Sequence, residues 1–291
     1  MALNVSTFKT RTLTAAVFVV VMLAGLLWNH WSFLVLFSII HAGCWIEYQK
    51  LVARIDPDYA SISPFHKYGV ILAGWGLMLF FTNDEFRIMG NGLRTAGLVL
   101  ALTFIFDAFI ADMIFTRNFK LKCAAHSVMG LIYISLPFAL MINLRTIGLG
   151  QVIGYQFDYG WIIPMVMIGS IWINDTMAYI VGSFIGKTPF SKISPNKTWE
   201  GTAGGALLAI MVVTIVMKLL FPNDSFWPWT IIAVIASVMG TVGDLFESKL
   251  KRLADVKDSG RIMPGHGGFL DRFDSLLFAI PFVWLYVYLV Y

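Results

Sequence analysis

The densest set of chemically useful side chains lies between Gly243 and Ser275. Asp244, Glu247, Ser248 and Lys251 stand at i, i+3, i+4 and i+7, which puts them on one stripe of a helix. Arg252, Lys257, Asp258 and Arg261 follow, then Pro264-Gly265-His266-Gly267-Gly268, which must turn, then Asp271-Arg272-Phe273-Asp274. Carboxylates so close together suit Mg²⁺, which takes oxygen ligands and accompanies substrate phosphates. The lysines and arginines suit the phosphate charge that remains. The pattern points to phosphoryl chemistry; the plainer reading is a solvated charged loop, which glycines and a histidine beside the acids disfavour. Asp271 and Asp274 are three apart and share a face if a helix starts there. His266 is a general base or phosphate contact on one reading and a hydrogen-bonded member of a tight glycine turn on the other. A phosphate monoester nucleophile is already anionic, so a positioning role is favoured.

A second set precedes it. Asn174, Asp175, Thr176 and Tyr179 form a polar patch inside an apolar stretch. An ionisable residue there costs free energy and marks a substrate, ligand or metal contact, or else a hydrogen-bonded knot between helices. Asp107 and Asp112, also within an apolar stretch, read better as structural. The loop from Gly186 to Gly201 carries Lys187, Lys192 and Lys197, with Ser194 and Thr198, just ahead of another apolar run. A helix N-terminus with lysines nearby suits phosphate. The order of a Walker A loop is absent, and an ordinary positive loop explains the lysines equally well. Gly201, Gly205 and Ala209 repeat at four-residue spacing, a small face for close helix packing.

The elements that must position these groups are membrane helices. Of 291 residues, 58% are hydrophobic and 13% charged, and mean hydropathy is +0.76. A soluble domain carries about a quarter charged residues. Unpaired backbone groups in lipid cost several kcal/mol each, so the spans must be helical. The expected fold is all-α, a polytopic bundle of about nine spans near 12–28, 32–47, 68–82, 96–115, 126–144, 161–185, 203–221, 229–247 and 275–291. The first is read as a retained helix rather than a signal peptide, since no small-residue cleavage site follows it. Cys44 and Cys123 have neither CxxC spacing nor clustered histidines, so neither a disulfide framework nor a zinc site is expected.

With the N-terminus in the cytoplasm, 17 of the 21 lysines and arginines fall on the inner side and 4 on the outer. That asymmetry supports the orientation and an odd number of spans. No linker or repeat divides the chain, so one integrated membrane domain is expected. Residues 1–150 form a scaffold for dimer or lipid contacts, and 151–291 form the catalytic region.

The run Ser248-x-Leu250-Lys251-Arg252-x4-Lys257-Asp258-Ser259-Gly260-x-x-Met263-Pro264-Gly265-His266-Gly267-Gly268-x-x-Asp271-Arg272-x-Asp274 resembles the signature of the phosphatidate cytidylyltransferases. Asp175-Thr176-x-Ala178-Tyr179 and Ser194-Pro195-Asn196-Lys197-Thr198-Trp199-Glu200-Gly201 are similar to that family too, so the resemblance covers about 161–291. Met263 is a mild departure, standing where a branched aliphatic residue or Phe is usual. The resemblance implies condensation of CTP with phosphatidic acid to CDP-diacylglycerol and pyrophosphate. It also implies Mg²⁺, with a second cation as an option, a cytoplasm-facing site open to the bilayer, and a homodimer. No nucleic-acid partner is expected.

On this basis Asp244, Asp271, Lys257, His266 and Arg272 are the expected catalytic residues. Asp244, Asp271 and Asp274 are the expected metal ligands. Asn174, Asp175, Ser194, Lys197, Ser248, Lys251, Arg252 and Asp258 are expected to bind substrate. A CTP-dependent enzyme with an ether-lipid or polyprenol acceptor is the nearest rival. A transporter is the rival from another class, but it should show repeated, interrupted helices that are not seen here.

Overall fold

A computed structural model describes residues 5–115, 121–152, 155–191, 193–260 and 267–290. They are overwhelmingly helical, and each of the nine expected apolar stretches is a helix. Among the described residues, six helices are long and apolar enough to cross a membrane: His30–Ile55, Leu121–Thr146, Ile162–Ile185, Trp199–Leu220, Trp227–Leu253 and Leu270–Val290. The chain divides into two compact units. One is Met1–Trp161 with Leu253–Arg272, and the other is Ile162–Arg252 with Phe273–Tyr291.

The first unit begins with α1 (Val5–Leu27) and α2 (His30–Ile55). Asn29 caps α2 by accepting from Ser32 N at 2.8 Å, while Ser32 Oγ accepts from Asn29 N, which satisfies two otherwise orphaned donors. The helix runs past residue 47, the expected end of the second span. Glu47 and Tyr48 are buried, so the helix continues to Asp56-Pro57, where the residue before proline leaves the helical region. A short α3 (Pro57–Ala60) and α4 (Pro64–Phe80), capped by Ser63, follow. The hairpin of β1 (Arg87–Ile88) and β2 (Asn91–Gly92) leads into α5 (Leu93–Phe115).

The span Leu121–Thr146 consists of α6 (Leu121–Gly130), a π-helical turn at Leu131–Ser135, and α7 (Leu136–Thr146). Pro137 lacks an N–H, and the wider turn just before it absorbs the break in the ladder. Ser135, on that turn, lies 2.8 Å from Trp45 Nε1 and 2.9 Å from His41 Nε2, so its buried hydroxyl is satisfied by α2. In the last turn of α7, fully buried Arg145 holds Asp158 through both oxygens at 2.5 Å. This fixes the end of the hairpin of β3 (Leu149–Val152) and β4 (Tyr155–Asp158).

The second unit contains α8 (Ile162–Ile185), α9 (Trp199–Leu220), α10 (Trp227–Leu253) up to Arg252, and α11 (Leu270–Val290) from Phe273. The small face of α9 packs on α8, as its spacing predicts. A Cβ at Gly205 would lie 2.7 Å from Ala178 Cβ and from Asn174 O, and one at Gly201 would lie 2.7 Å from Ala178 O. Only hydrogen at these positions lets the two backbones approach. Thr198 caps α9 by accepting from Gly201 N at 3.1 Å.

Candidate active site

In the second unit, Asp244 and Glu247 project one turn apart from α10, and Asp274 lies in the first turns of α11. One carboxylate oxygen from each lies within 4.8 Å of the others, and Glu247 and Asp274 are buried. Gly243 allows this approach, since a Cβ there would lie 2.5 Å from Asp274 O. Two lysines offset the acids: Lys197 pairs with Asp244, and Lys251, one turn along from Glu247, pairs with Glu247. Ser248 Oγ reaches Asp244 Oδ1 at 3.5 Å, the outer limit of a hydrogen bond.

The loop 186–198 presents Lys197. Pro189 bridges Thr198, Phe190 N donates to Lys197 O at 2.7 Å, and Lys197 N donates to Ser194 O at 3.1 Å. The carboxylate of Glu200 accepts from Lys187 N, Thr188 N and Thr188 Oγ1, tying the loop to the first turn of α9. Burial holds the Lys197 ammonium below its usual 10.5, against the pull of Asp175 and Asp274, and Lys251 lowers it further. Asn174 is buried and donates to Asp175 Oδ1 at 3.4 Å, so this pair borders the same charges.

Asp244 and Asp274 are therefore brought together with Lys197 and Lys251, and Asp175 acts on Lys197. Glu247 joins the group although the sequence pattern does not single it out as a ligand. Its place three residues after Asp244 carries the signal. The donor set suits a hard divalent cation: three carboxylate oxygens converge, two of them from buried residues, and Asp175, Asp244, Glu247 and Asp274 formally outnumber the two lysines.

Asp271 belongs to a cluster in the first unit. Its Oδ2 accepts from Ser259 N at 2.9 Å and from Gly268 N at 2.8 Å. Gly267 adopts φ +84°, a conformation that L side chains rarely take, and a Cβ there would lie 2.6 Å from that same oxygen. Glu47 closes the cluster by accepting from Ser259 Oγ, Phe269 N and Leu270 N. Arg252, Lys257, Asp258 and Arg272 are exposed on or beside this segment. His266 lies outside the described residues.

The pattern of the cytidylyltransferase family matches residues 9–290. The chain belongs to the cytidylyltransferase family. A relative named phosphatidate cytidylyltransferase, from Staphylococcus saprophyticus, is 33% identical over 274 residues, 94% of this chain and 96% of that protein. Another of that name, from Bacillus subtilis, is 42% identical over 154 residues, 53% of this chain and 54% of its own. A third, from Staphylococcus epidermidis, is 31% identical over 274 residues. The likeness of this cytidylyltransferase to its relatives thus reaches well into the first half, beyond the 161–291 region whose motifs carry the resemblance.

Proposed function

We propose that this chain condenses CTP with phosphatidic acid, yielding CDP-diacylglycerol and pyrophosphate at the cytoplasmic face of the membrane. The observation that carries the reading is the grouping of Asp244, Glu247 and Asp274 with Lys197 and Lys251, in a family whose relatives bear that activity in their names. In this reaction an oxygen of the lipid phosphate attacks the α-phosphorus of CTP. The bond between the α-phosphorus and the bridging oxygen breaks, and pyrophosphate leaves with the electron pair.

Asp244, Glu247 and Asp274 would hold Mg²⁺, which when bound screens phosphate charge and stabilises the leaving group. Lys197 and Lys251, now paired with acids, exchange those partners for substrate phosphate. Asn174 and Asp175 border the nucleotide, and Ser194 and Ser248 bind beside the lysines. In the segment 253–272, Asp271 is a further carboxylate for cation. Lys257, His266 and Arg272, with Arg252 just before them, serve the phosphates of the two substrates, and Asp258 binds substrate beside them. Each positive group acts where charge develops on the leaving pyrophosphate.

Nine helices cross the bilayer in this reading: α1, α2, α4, α5, the combined α6–α7, and α8 to α11. The N-terminus lies in the cytoplasm, as the excess of Lys and Arg in alternate loops supports. The working form is a homodimer, which light scattering of detergent-purified protein tests. For the reaction, purified protein is offered CTP with phosphatidic acid, an ether analogue or polyprenyl phosphate, and the lipids are weighed by mass spectrometry. A cytidylyl adduct on phosphatidic acid is the expected product. An adduct on another acceptor alone overturns the substrate assignment.

A further inference from the structure

Glu47 lies in an apolar helix, far along the chain from the signature residues, yet only 2% of it is exposed. A buried carboxylate is costly unless hydrogen bonds replace its water. This one accepts from Ser259 Oγ at 2.7 Å, Phe269 N at 3.0 Å and Leu270 N at 2.9 Å, all in the segment 253–272 that packs in its own unit. The latter two N–H groups stand where α11 begins, where helix donors lack partners. A Cβ at Gly260 or Gly268 would run into the Glu47 carboxylate, and one at Gly43, one turn earlier on α2, would run into the Phe269 ring. Gly260 and Gly268 meet Glu47, and Gly43 meets Phe269, with no spare room.

Ser259 links Glu47 to Asp271. Its Oγ lies 2.7 Å from Glu47 Oε2 and 2.9 Å from Asp271 Oδ2, and its N–H donates to that same Asp271 oxygen. Asp271 N in turn lies 3.3 Å from Ser259 Oγ. One hydroxyl proton serves two carboxylates, so the three side chains move as a unit.

We propose that Glu47 is a positioning residue for the reaction, clamping Ser259 and the start of α11 at Phe269 and Leu270 to α2 and so fixing the Asp271 carboxylate through Ser259. The inference rests on the proposed role of Asp271. Outer partners of this kind are worth about 10- to 100-fold in metal affinity or activity. Glu47→Gln keeps the shape but puts an NH₂ group against donors. It should lower kcat and raise the half-saturating Mg²⁺ concentration, each by about 10- to 100-fold, with KM for phosphatidic acid unchanged. Ser259→Ala should do the same, and the double variant should lose no more than the worse single one.

The second readout needs neither metal nor turnover. In metal-free protein, Glu47→Gln should speed tryptic cleavage after the exposed Lys257 while the melting temperature holds. Wild-type kcat and Mg²⁺ requirement in Glu47→Gln overturn the positioning role. A fall in melting temperature that matches the loss of activity, with no selective cleavage at Lys257, reduces Glu47 to a structural residue. If the wild-type protein turns over no CTP, the reaction assignment fails, and the cleavage rates still decide whether Glu47 clamps Ser259 and the start of α11.

Discussion

Lys197, the last residue before the N-cap of α9, forms an ion pair with Asp244 of α10. The pair joins a loop that carries the family resemblance to the acidic stripe of α10, four residues ahead of the signature that begins at Ser248. Each partner's charge is matched by the other's.

Asp244→Asn removes a carboxylate oxygen from the acid group and leaves its volume unchanged. Turnover should fall by at least about 100-fold, the scale of losing one preorganised electrostatic contact, while the melting temperature stays near that of wild type. Glu247→Gln should behave likewise. Pyrophosphate release and thermal unfolding in the same detergent check both.

The pH dependence follows from Lys197. Burial lowers its pKa below 10.5, so on the alkaline side it loses its proton earlier than a free lysine does. The alkaline limb of kcat/KM should therefore fall below pH 10.5, and Lys197→Arg, which keeps its charge, should push it upward. Stability moves the other way. Folding penalises the charged lysine, and that penalty is present below the folded pKa and relieved as pH rises towards the unfolded one. Initial rates and melts across alkaline pH separate the two trends.

Much of this was legible in the sequence, because apolar length and i, i+3, i+4 spacing are local. Each apolar stretch is a helix, and the stripe Asp244, Glu247, Ser248, Lys251 does lie on one helix. The role of Glu47 was not legible. Its partner Ser259 is 212 residues away, and a lone acid near the expected end of a span reads as the point where the helix leaves lipid. Its signal was an acid between Trp45, Ile46 and Tyr48. The split of the signature between two compact units at Arg252 and Arg272 was equally hidden, since apolar pattern reports that a face is buried but not what buries it.

Close packing of α8 and α9 gives a third expectation. A Cβ at Gly205 would lie 2.7 Å from Ala178 Cβ, Ala178 N and Asn174 O, and the two backbone atoms cannot turn aside. Gly205→Val should cost about 1–3 kcal/mol or more through overpacking. It should also disturb Asn174, so activity falls with stability. Gly169→Ala, where a Cβ meets open space, should be far milder. Thermal melts of the two variants decide it.

Asp56 gives a fourth. Lys122, 3.1 Å away, together with Asp58 N and His126, holds its carboxyl below 3.8. A depressed carboxylate pKa contributes stability above the unfolded value that is lost as pH falls through the folded one. Asp56→Asn should lower the melting temperature at pH 7, and the gap should close in strong acid. A gap independent of pH contradicts the assignment.

The central claim is tested most directly by pyrophosphate release from detergent-purified protein given CTP, Mg²⁺ and phosphatidic acid, with and without EDTA. Release that requires the lipid, stops with EDTA and returns with excess Mg²⁺ is the predicted result. Folded protein that releases none with any acyl chain, or releases it unchanged in EDTA, contradicts a metal-assisted cytidylyl transfer at Asp244, Glu247 and Asp274.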